Sequence, residues 1–236
     1  MSVNYVSLTG AHCLVVGGAG SIGSHVVDAL LAAGAEVVVF DNLASGRLDN
    51  LAQAASHPAC RLVEGSITDR EALGRACRGV DYVFHLAVAG MNQCSQQPRL
   101  ALDVNVVGTW NILEAAADAH VKKVVFSSAG AVYGQPRYVP VDEDHPLETQ
   151  IMYGASKVAG ERFLAAFRAE RGLPGIALRY FNVYGPRHDH PANTSQIIPR
   201  WLERLEHGEP PIIFGDCLLY TSDAADDLLC VDLGGR

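Results

Sequence analysis

The sequence HCLVVGGAGSIGSHVVDALLAAGAEVVVFD, residues 12–41, contains every part of one βαβ unit. Two apolar runs, 12–17 and 36–41, are typical of strands, and between them apolar side chains recur at helical spacing from residue 21 to residue 33. Gly34 stands where the C-terminal cap of that helix belongs. The order strand, glycine-rich turn, helix, strand predicts two neighbouring strands of a parallel sheet.

The same alternation continues along the chain. Further strands are predicted at 61–64, 80–87, 123–128 and 175–179, and further helices at 69–78, 99–120 and 153–171. Asp69 has the side chain of an N-cap residue for the first of these helices. Beyond Asn182 the alternation breaks down, and one more helix is predicted at 199–207. The pattern predicts an α/β fold, a doubly wound parallel sheet of the Rossmann type.

Length and composition describe an ordinary globular protein. The chain has 236 residues, 49% apolar and 19% charged, enough for one large or two small domains. A net charge of −8 without a Lys/Arg cluster argues against nucleic acid or an anionic membrane as a partner. No apolar run reaches the length of a membrane span. The six cysteines have neither disulfide-like nor metal-ligand spacing, so we expect free thiols, a cytoplasmic protein and no metal.

Three glycines predict a nucleotide site. Gly17, Gly20 and Gly23 follow the first strand and open the first helix, where glycine lets the backbone approach a pyrophosphate and the helix N-terminus attracts it. Asp41 ends the second strand, where a carboxylate can accept hydrogen bonds from the adenosine ribose and would repel a 2′-phosphate. These residues predict bound NAD. The alternatives are a turn that binds nothing and a carboxylate that only caps a loop.

Tyr153 and Lys157 lie four positions apart on a predicted helix, so their side chains share one face. A tyrosine with the usual pKa near 10 is a poor base at neutral pH. A neighbouring ammonium and a cationic nicotinamide ring both favour the phenolate and lower its pKa. The pair therefore predicts general-base catalysis of a redox step. Taken alone it fits an exposed helix face equally well, and the upstream glycine turn favours catalysis.

Seven ordered motifs lie between residues 10 and 216: GGAGSIG (17–23), DNL (41–43), HLA (85–87), NVVGT (105–109), SSAGAVYG (127–134), YGASK (153–157) and RYFNVYGPR (179–187). Together they resemble the NAD-dependent sugar epimerase/dehydratase family of extended short-chain dehydrogenases/reductases, close to its UDP-glucose 4-epimerase group. The resemblance implies a nucleotide-sugar 4-epimerase that oxidises the sugar transiently at C4 and reduces it again. It also implies a homodimer formed through the helices at 99–120 and 153–171.

The resemblance also implies a set of site residues. The cofactor-binding residues are Gly17, Gly20, Ser21, Ile22, Gly23, Asp41, Asn42, Leu43, Ser66, Ile67, Leu86, Ala87, Val88, Asn105, Tyr153, Lys157 and Phe181. The catalytic residues are Tyr153, Lys157 and Ser128, and the substrate-binding residues are Ala129, Tyr133 and Asn182.

One motif departs from the family pattern. The family places a catalytic Ser or Thr where this chain has Ala129, and that hydroxyl hydrogen-bonds the reacting sugar oxygen. Either Ser128 takes this role through a local backbone shift, or water or the substrate does, or turnover is slow. Gly130 and Ala131 supply neither the acid nor the base of a dehydratase, which favours epimerisation. The alternatives are a reductase, dehydratase or decarboxylase of the family, and a non-catalytic NAD-binding fragment.

In this interpretation the chain has three parts. Residues 1–181 form the NAD-binding Rossmann domain, and 182–216 form part of a substrate-binding region. Residues 217–236 continue no amphipathic pattern, and their back-translation can encode the transposase adapter of short-read libraries. We expect this segment to be a non-native read-through on a truncated reading frame; the alternative is a genuine helix plus strand.

Overall fold

The computed structural model describes residues 7–188 and 197–212. Its centre is a six-stranded sheet in which neighbouring strands pair in parallel. The strands are β1 (His12–Val16), β2 (Glu36–Asp41), β3 (Cys60–Glu64), β4 (Tyr82–His85), β5 (Lys123–Ala129) and β6 (Gly175–Tyr180), in the spatial order β3-β2-β1-β4-β5-β6. This order confirms the predicted doubly wound α/β fold.

Helices connect the strands. Within the described residues they are α1 (Ser21–Ala32), α2 (Arg70–Ala76), α3 (Met91–Gln96), α4 (Pro98–Leu100), α5 (Thr109–Asp118), α6 (Met152–Arg171) and α7 (Ile197–Glu206). The single helix predicted at 99–120 is α4 and α5 joined by a π-helical segment, Ala101–Gly108. The sequence did not predict α3, because six residues are too few to show a helical period.

Local signals account for several helix ends. Asp69 caps α2 as predicted, because its side chain accepts a hydrogen bond from the backbone N–H of Ala72 at 3.0 Å. Gly34 follows α1 with a φ of +79°, and Gly172 follows α6 with a φ of +66°. Both have the left-handed conformation in which helices commonly end at glycine.

The core has two halves because β1 is buried on both faces. Leu14 and Val16 pack in one apolar cluster, whereas Cys13 and Val15 pack in another with Val27 of α1. Side chains alternate across a strand, so the two clusters lie on opposite faces of the sheet. A continuous apolar run is therefore what this central parallel strand requires.

The strand order creates a crevice at one edge of the sheet. β1 lies between β2 and β4, so the loops that follow β1 and β4 lead to opposite sides. Ligands of doubly wound sheets bind where such loops diverge, at the carboxyl ends of the strands. The predicted cofactor residues lie in loops and helix starts at this edge.

Several expectations concern absences or lie outside the described residues. Over 7–188 and 197–212, none of the helices combines the length and the apolar character of a membrane-spanning segment. Over the same ranges, no group of three or more His, Cys, Asp or Glu side chains is placed to hold a metal ion. The segment 217–236 is outside the described residues, so its origin stays a prediction. The domain boundary after residue 181 also stays a prediction.

Candidate active site

The turn between β1 and α1 has space only for glycine at two positions. Gly17 has a φ of +82°, and a Cβ there would lie 2.4 Å from the backbone N of Ala87. A Cβ at Gly23 would lie 2.1 Å from the carbonyl oxygen of Gly17. The chain therefore turns sharply into α1, whose first residues, Ser21 and Ile22, have N–H groups without partners inside the helix. This turn can hold an anion such as a pyrophosphate.

Gly20 differs from the other two glycines. It is the N-cap of α1 with an extended backbone, and a Cβ there would meet Gly17 at an ordinary contact distance of 3.4 Å. Neither its conformation nor the surrounding protein excludes a side chain. A requirement for glycine here would therefore come from a ligand that approaches the backbone closely.

Asp41 holds the glycine-rich turn in place. Its Oδ2 accepts a hydrogen bond from the N–H of Ala19 at 2.9 Å, and its Oδ1 accepts one from the N–H of Leu43 at 2.8 Å. Asn42 caps the same loop, since its Oδ1 accepts from the N–H of Ala44 at 3.1 Å. Each Asp41 oxygen keeps a lone pair for a ribose hydroxyl. Asp41 thus lies beside the turn and also stabilises it.

Ser66 and Ile67 follow β3. The hydroxyls of Ser66 and Thr68 pair at 2.8 Å. The Ile67 side chain is buried against Gly108, and the Ile67 carbonyl accepts a hydrogen bond from Asn111 at 3.0 Å. A contact between Ile67 and an adenine would therefore have to come from the backbone N–H and not from the side chain.

The loop after β4 is anchored at both ends. The N–H groups of Leu86 and Ala87 both donate to the carbonyl of Val16, at 2.8 and 2.9 Å. Asn105, in the π-helical segment, pairs with Ala89 in both directions: its Oδ1 accepts from the N–H at 2.7 Å, and its Nδ2 donates to the carbonyl at 3.0 Å. Val88, between these anchors, therefore belongs to a well-held loop.

Tyr153 and Lys157 lie one turn apart near the start of α6. The Lys157 Nζ is 5.8 Å from the centroid of the Tyr153 ring and donates to the carbonyl of Ser127 at 2.7 Å. Burial, with a smaller electrostatic contribution from Cys94, raises the pKa of Tyr153 to about 12. Without a cofactor, the Tyr153 phenol thus keeps its proton at neutral pH. The pKa of Tyr153 is thus raised, whereas the neighbouring Lys157 taken alone predicts that it is lowered.

The structure does not bring Ser128 to this pair. Its Oγ donates to Glu161 Oε1 at 2.5 Å, and Ser128 is only 1% exposed. Glu161 follows Tyr153 by eight residues, about 12 Å further along the helix axis. Ala129, as the next residue of β5, points to the other face of the strand. The predicted role of Ser128 would need a conformation different from the one observed.

Arg179 of β6 organises a buried polar cluster with Ser128, Tyr133 and Glu161, called here the Glu161 cluster. Its Nε and Nη2 donate to the Glu161 carboxylate at 3.0 and 2.8 Å. Its Nη1 donates to the Tyr133 hydroxyl at 2.9 Å and to the carbonyl of Glu143 at 3.0 Å. Burial raises the pKa of Glu161, but hydrogen bonds from Arg179 and Ser128 outweigh burial and hold it below its usual value. The Tyr133 hydroxyl, predicted to bind substrate, is occupied by Arg179 here.

Phe181 and Asn182 follow β6. The Phe181 ring stacks on Tyr133 with 6.0 Å between centroids and remains 39% exposed. A Cβ at Gly130 would lie 2.6 Å from Phe181 Cε1, so the ring fills the space that a side chain there would need. Asn182 is partly exposed, with a φ of +23°. Both residues are therefore accessible to a ligand, in contrast to Tyr133.

The sequence did not predict roles for Glu161 and Ser156. Glu161 follows Lys157 by four residues, so the helical spacing placed it on the same face as the predicted catalytic pair. Ser156 lies inside the YGASK motif, but only the structure shows its partners. The arrangement as a whole offers anion binding at the glycine-rich turn and proton transfer at Tyr153, both at the carboxyl edge of the sheet.

Comparison with known proteins extends these observations. The model of the NAD dependent epimerase/dehydratase family matches residues 13–231. This range includes most of the segment 217–236. The UDP-glucose 4-epimerase of Mycolicibacterium smegmatis is 40% identical over 206 residues, which cover 86% of this chain and 66% of that protein.

Two solved structures are similar to this chain. The UDP-N-acetylglucosamine 4-epimerase from Methanobrevibacter ruminantium, in complex with UDP-N-acetylmuramic acid, aligns with a TM-score of 0.83 and 35% identity over 88% of this chain and 66% of that one. A double mutant of the dTDP-glucose 4,6-dehydratase from Streptomyces venezuelae, with NAD bound, aligns with a TM-score of 0.79 and 36% identity over 86% and 65%. The chain thus spans 66% of the length of the Mycolicibacterium smegmatis and Methanobrevibacter ruminantium proteins.

Proposed function

This chain belongs to the NAD dependent epimerase/dehydratase family, and from that membership we propose that it is an NAD-dependent nucleotide-sugar 4-epimerase of the UDP-sugar type. The observation that carries the proposal is the placement of Tyr153 and Lys157 at the same edge of the sheet as the glycine-rich turn and Asp41. The names of its relatives support UDP-sugars as the substrate class.

The residues of the crevice fit NAD. Gly17 and Gly23 leave backbone space at the N-terminus of α1 for the pyrophosphate, and Asp41 retains lone pairs for the ribose hydroxyls. The Asp41 carboxylate would repel the 2′-phosphate of NADP. On the nicotinamide side, the anchored loop 86–90 and the exposed ring of Phe181 would enclose the ring. When bound, NAD would supply a reversible hydride acceptor for C4 of the sugar.

Tyr153 takes the proton of the sugar 4-OH in this proposal and returns it in the second half of the reaction. Because the partly buried phenol is protonated in the absence of ligands, it requires positive charge nearby before it can act as a base. Lys157 supplies one such charge and is already oriented by Ser127. The cationic nicotinamide would add a second, so the base forms only in the complex.

The turn after β5 favours epimerisation over dehydration. A dehydratase needs an additional acid and base, and neither Gly130 nor Ala131 carries one. Phe181 also fills the space beside Gly130. A non-catalytic NAD-binding role is the second candidate, and one observation favours it: Ala129 has no hydroxyl, and the Ser128 hydroxyl is bonded to Glu161.

We further propose a cytoplasmic homodimer. Large apolar side chains are exposed on the first segment expected to pair, namely Leu102, Val107 and Trp110, and the exposed Met152 directly precedes the second. Burial of these side chains against a second copy would remove them from water. The four cysteines within the described residues are free thiols, which fits a reducing compartment.

The test is incubation with NAD and a panel of UDP- and dTDP-sugars, followed by NMR of the configuration at C4. Inversion at C4 is the expected result, and Tyr153→Phe should abolish it. Accumulation of NADH would indicate a reductase, and loss of water or carbon dioxide a dehydratase or decarboxylase. NAD binding without reaction of any sugar would indicate the non-catalytic role. Full turnover by Tyr153→Phe would contradict the mechanism.

A further inference from the structure

A chain of hydrogen bonds joins the loop 86–90 to the backbone of Tyr153. Ser156 Oγ donates to the Tyr153 carbonyl at 2.6 Å and accepts from Asn105 Nδ2 at 3.1 Å. The same Asn105 side chain pairs with the backbone of Ala89 in both directions. Ser156 and Asn105 are each 3% exposed, so these bonds form without competition from bulk water.

The bond from Ser156 acts where the catalytic pair is held. In an α-helix the carbonyl of residue 153 also accepts a hydrogen bond from the backbone N–H of residue 157. The Ser156 hydroxyl therefore bonds to the same carbonyl oxygen that connects Tyr153 to Lys157 in the helix. A serine hydroxyl that bonds to a carbonyl of the preceding turn competes with the helix ladder and does not strengthen it. The stabilisation gained here therefore comes from its second partner, Asn105.

The loop 86–90, at the other end of these hydrogen bonds, forms a wall of the Tyr153 site. The Tyr153 ring packs against a small apolar cluster of Ala89, Cys94 and Ala101. Cys94 also donates from its Sγ to the carbonyl of Ala89 at 3.3 Å. Any movement of the loop relative to α6 would thus change the packing of the ring.

We propose that Ser156 is a positioning residue, which through Asn105 fixes Tyr153 relative to the loop 86–90. The catalytic consequence rests on the proposed function, in which this loop faces the nicotinamide ring. The distance between the phenol and the reacting carbon would then depend on the Ser156 bond, and displacements of about 1 Å cost large factors in rate.

Ser156→Ala tests the proposal without any need for turnover. In this variant the buried Asn105 Nδ2 loses the acceptor that Ser156 Oγ provides. The loop 86–90 should therefore be held less firmly next to Tyr153. Since burial keeps the phenol protonated, entry of water should lower its pKa in the cofactor-free protein. Phenolate absorbance is measured as a function of pH in each protein. The absorbance of the same protein carrying Tyr153→Phe is subtracted, so that the difference reports Tyr153. We expect a decrease of about half a pKa unit or more.

The matched control is Ser24→Ala in α1. Ser24 is also fully buried, and its Oγ donates to the carbonyl of Ser21 at 3.1 Å, the same three-residue spacing. Within the described residues Ser24 has no counterpart of Asn105, so Ser24→Ala removes only the bond to the carbonyl and should leave the Tyr153 titration unchanged, whereas Ser156→Ala should shift it. Ser156→Thr, which keeps a hydroxyl able to bond to a carbonyl one turn back, should restore it. The proposal would be overturned if the Tyr153 pKa in Ser156→Ala equals that of the wild type. It would also be overturned if Ser156→Thr shifts this pKa as much as Ser156→Ala does.

A second readout addresses catalysis. Reduction of bound NAD by a reactive nucleotide sugar should be about tenfold slower in Ser156→Ala in a single turnover, with NAD affinity changed less than about twofold. An unchanged rate would overturn the catalytic part. If none of the tested nucleotide sugars reduces NAD bound to the wild type, the proposed function fails. The phenolate titration still decides the role of Ser156 in that case.

Discussion

The Lys157 ammonium donates a hydrogen bond across 2.7 Å to the carbonyl of Ser127, and this bond ties α6 to the end of β5. Lys157 is only 3% exposed, so its charge is separated from bulk water. Burial lowers the pKa of Lys157 to about 8. The residue that should stabilise a phenolate is therefore itself close to losing its proton under mildly alkaline conditions.

The lowered pKa of Lys157 predicts a rise in stability with pH. The unfolded lysine has a pKa near 10.5 and the folded one about 8, so between these values the unfolded state binds more protons and the free energy of unfolding increases. Below about pH 8 the full cost of the buried charge applies. Relative to Lys157→Met, the wild type should gain up to a few kcal/mol between about pH 7.5 and pH 10. Denaturant unfolding of both proteins measures this, and a pH-independent difference would contradict the lowered pKa.

Asp41→Ser should weaken NAD binding without creating an NADP site. The change removes a charge that would repel a 2′-phosphate, but it also leaves the N–H groups of Ala19 and Leu43 without their acceptors. The ribose hydroxyls would also lose a charged acceptor, and a hydrogen bond to a charged group is worth roughly 1.5–3 kcal/mol, so NAD affinity should fall by about tenfold to a hundredfold. Isothermal titration calorimetry with both cofactors measures the outcome.

Hydrogen exchange separates the two roles of Asp41. In the cofactor-free protein, the amide of Ala19 should exchange faster in Asp41→Ser. It should be unchanged in Asn42→Ser, a matched control whose side chain caps only Ala44. NADP bound by Asp41→Ser as tightly as the wild type binds NAD would show that the turn does not depend on this carboxylate.

The elements that the sequence predicted well depend on residues close together in the chain. The predicted strand at 36–41 and the cap at Asp69 agree with the structure, and α1 ends within one residue of its prediction. Apolar period, capping side chains and glycines are local signals. The seven motifs also predicted which segments contribute residues to the site. They could not show that Gly20 tolerates a Cβ within the protein itself.

The contacts that the sequence did not predict join residues far apart in the chain. Ser128 meets Glu161 across 33 positions, and Arg179 meets Tyr133 across 46. Such pairs depend on how α6 packs on the sheet, and no local pattern records this. The pKa of Tyr153 illustrates the same limit, because the sequence shows the lysine four residues away but not the burial that outweighs it.

Ala129→Ser should add the hydroxyl that this chain lacks. Ala129 ends β5 on the face opposite to Ser128, and one preorganised donor to a reacting oxygen is worth about a hundredfold in rate in other enzymes. We expect reduction of bound NAD by a reactive nucleotide sugar to accelerate at least about tenfold in a single turnover. Ala155→Ser, the same change at an exposed position of α6, should have no effect. Equal rates in all three proteins would mean that water or the substrate already supplies the hydrogen bond.

Glu161→Gln should destabilise the protein through the Glu161 cluster. Arg179 would lose its counter-charge while only 21% of its side chain is exposed, and removal of one partner of a buried pair costs roughly 3 kcal/mol. The pKa of Glu161 is below its usual value, so its contribution is present above about pH 4.5 and is lost as the pH falls through the folded pKa. The stability difference between wild type and variant should therefore shrink in acid.

An exposed ion pair provides the control for Glu161→Gln. Arg137 and Glu148 form a surface pair, with side chains 61% and 44% exposed, so Glu148→Gln should cost less than about 1 kcal/mol. Urea unfolding at pH 7 and near pH 4 measures both variants. Arg179→Met combined with Glu161→Met should cost less than the sum of the single changes, because neither then leaves a buried charge unpaired. Additive losses, or equal losses at the two pairs, would show that the cluster does not act as a coupled buried unit.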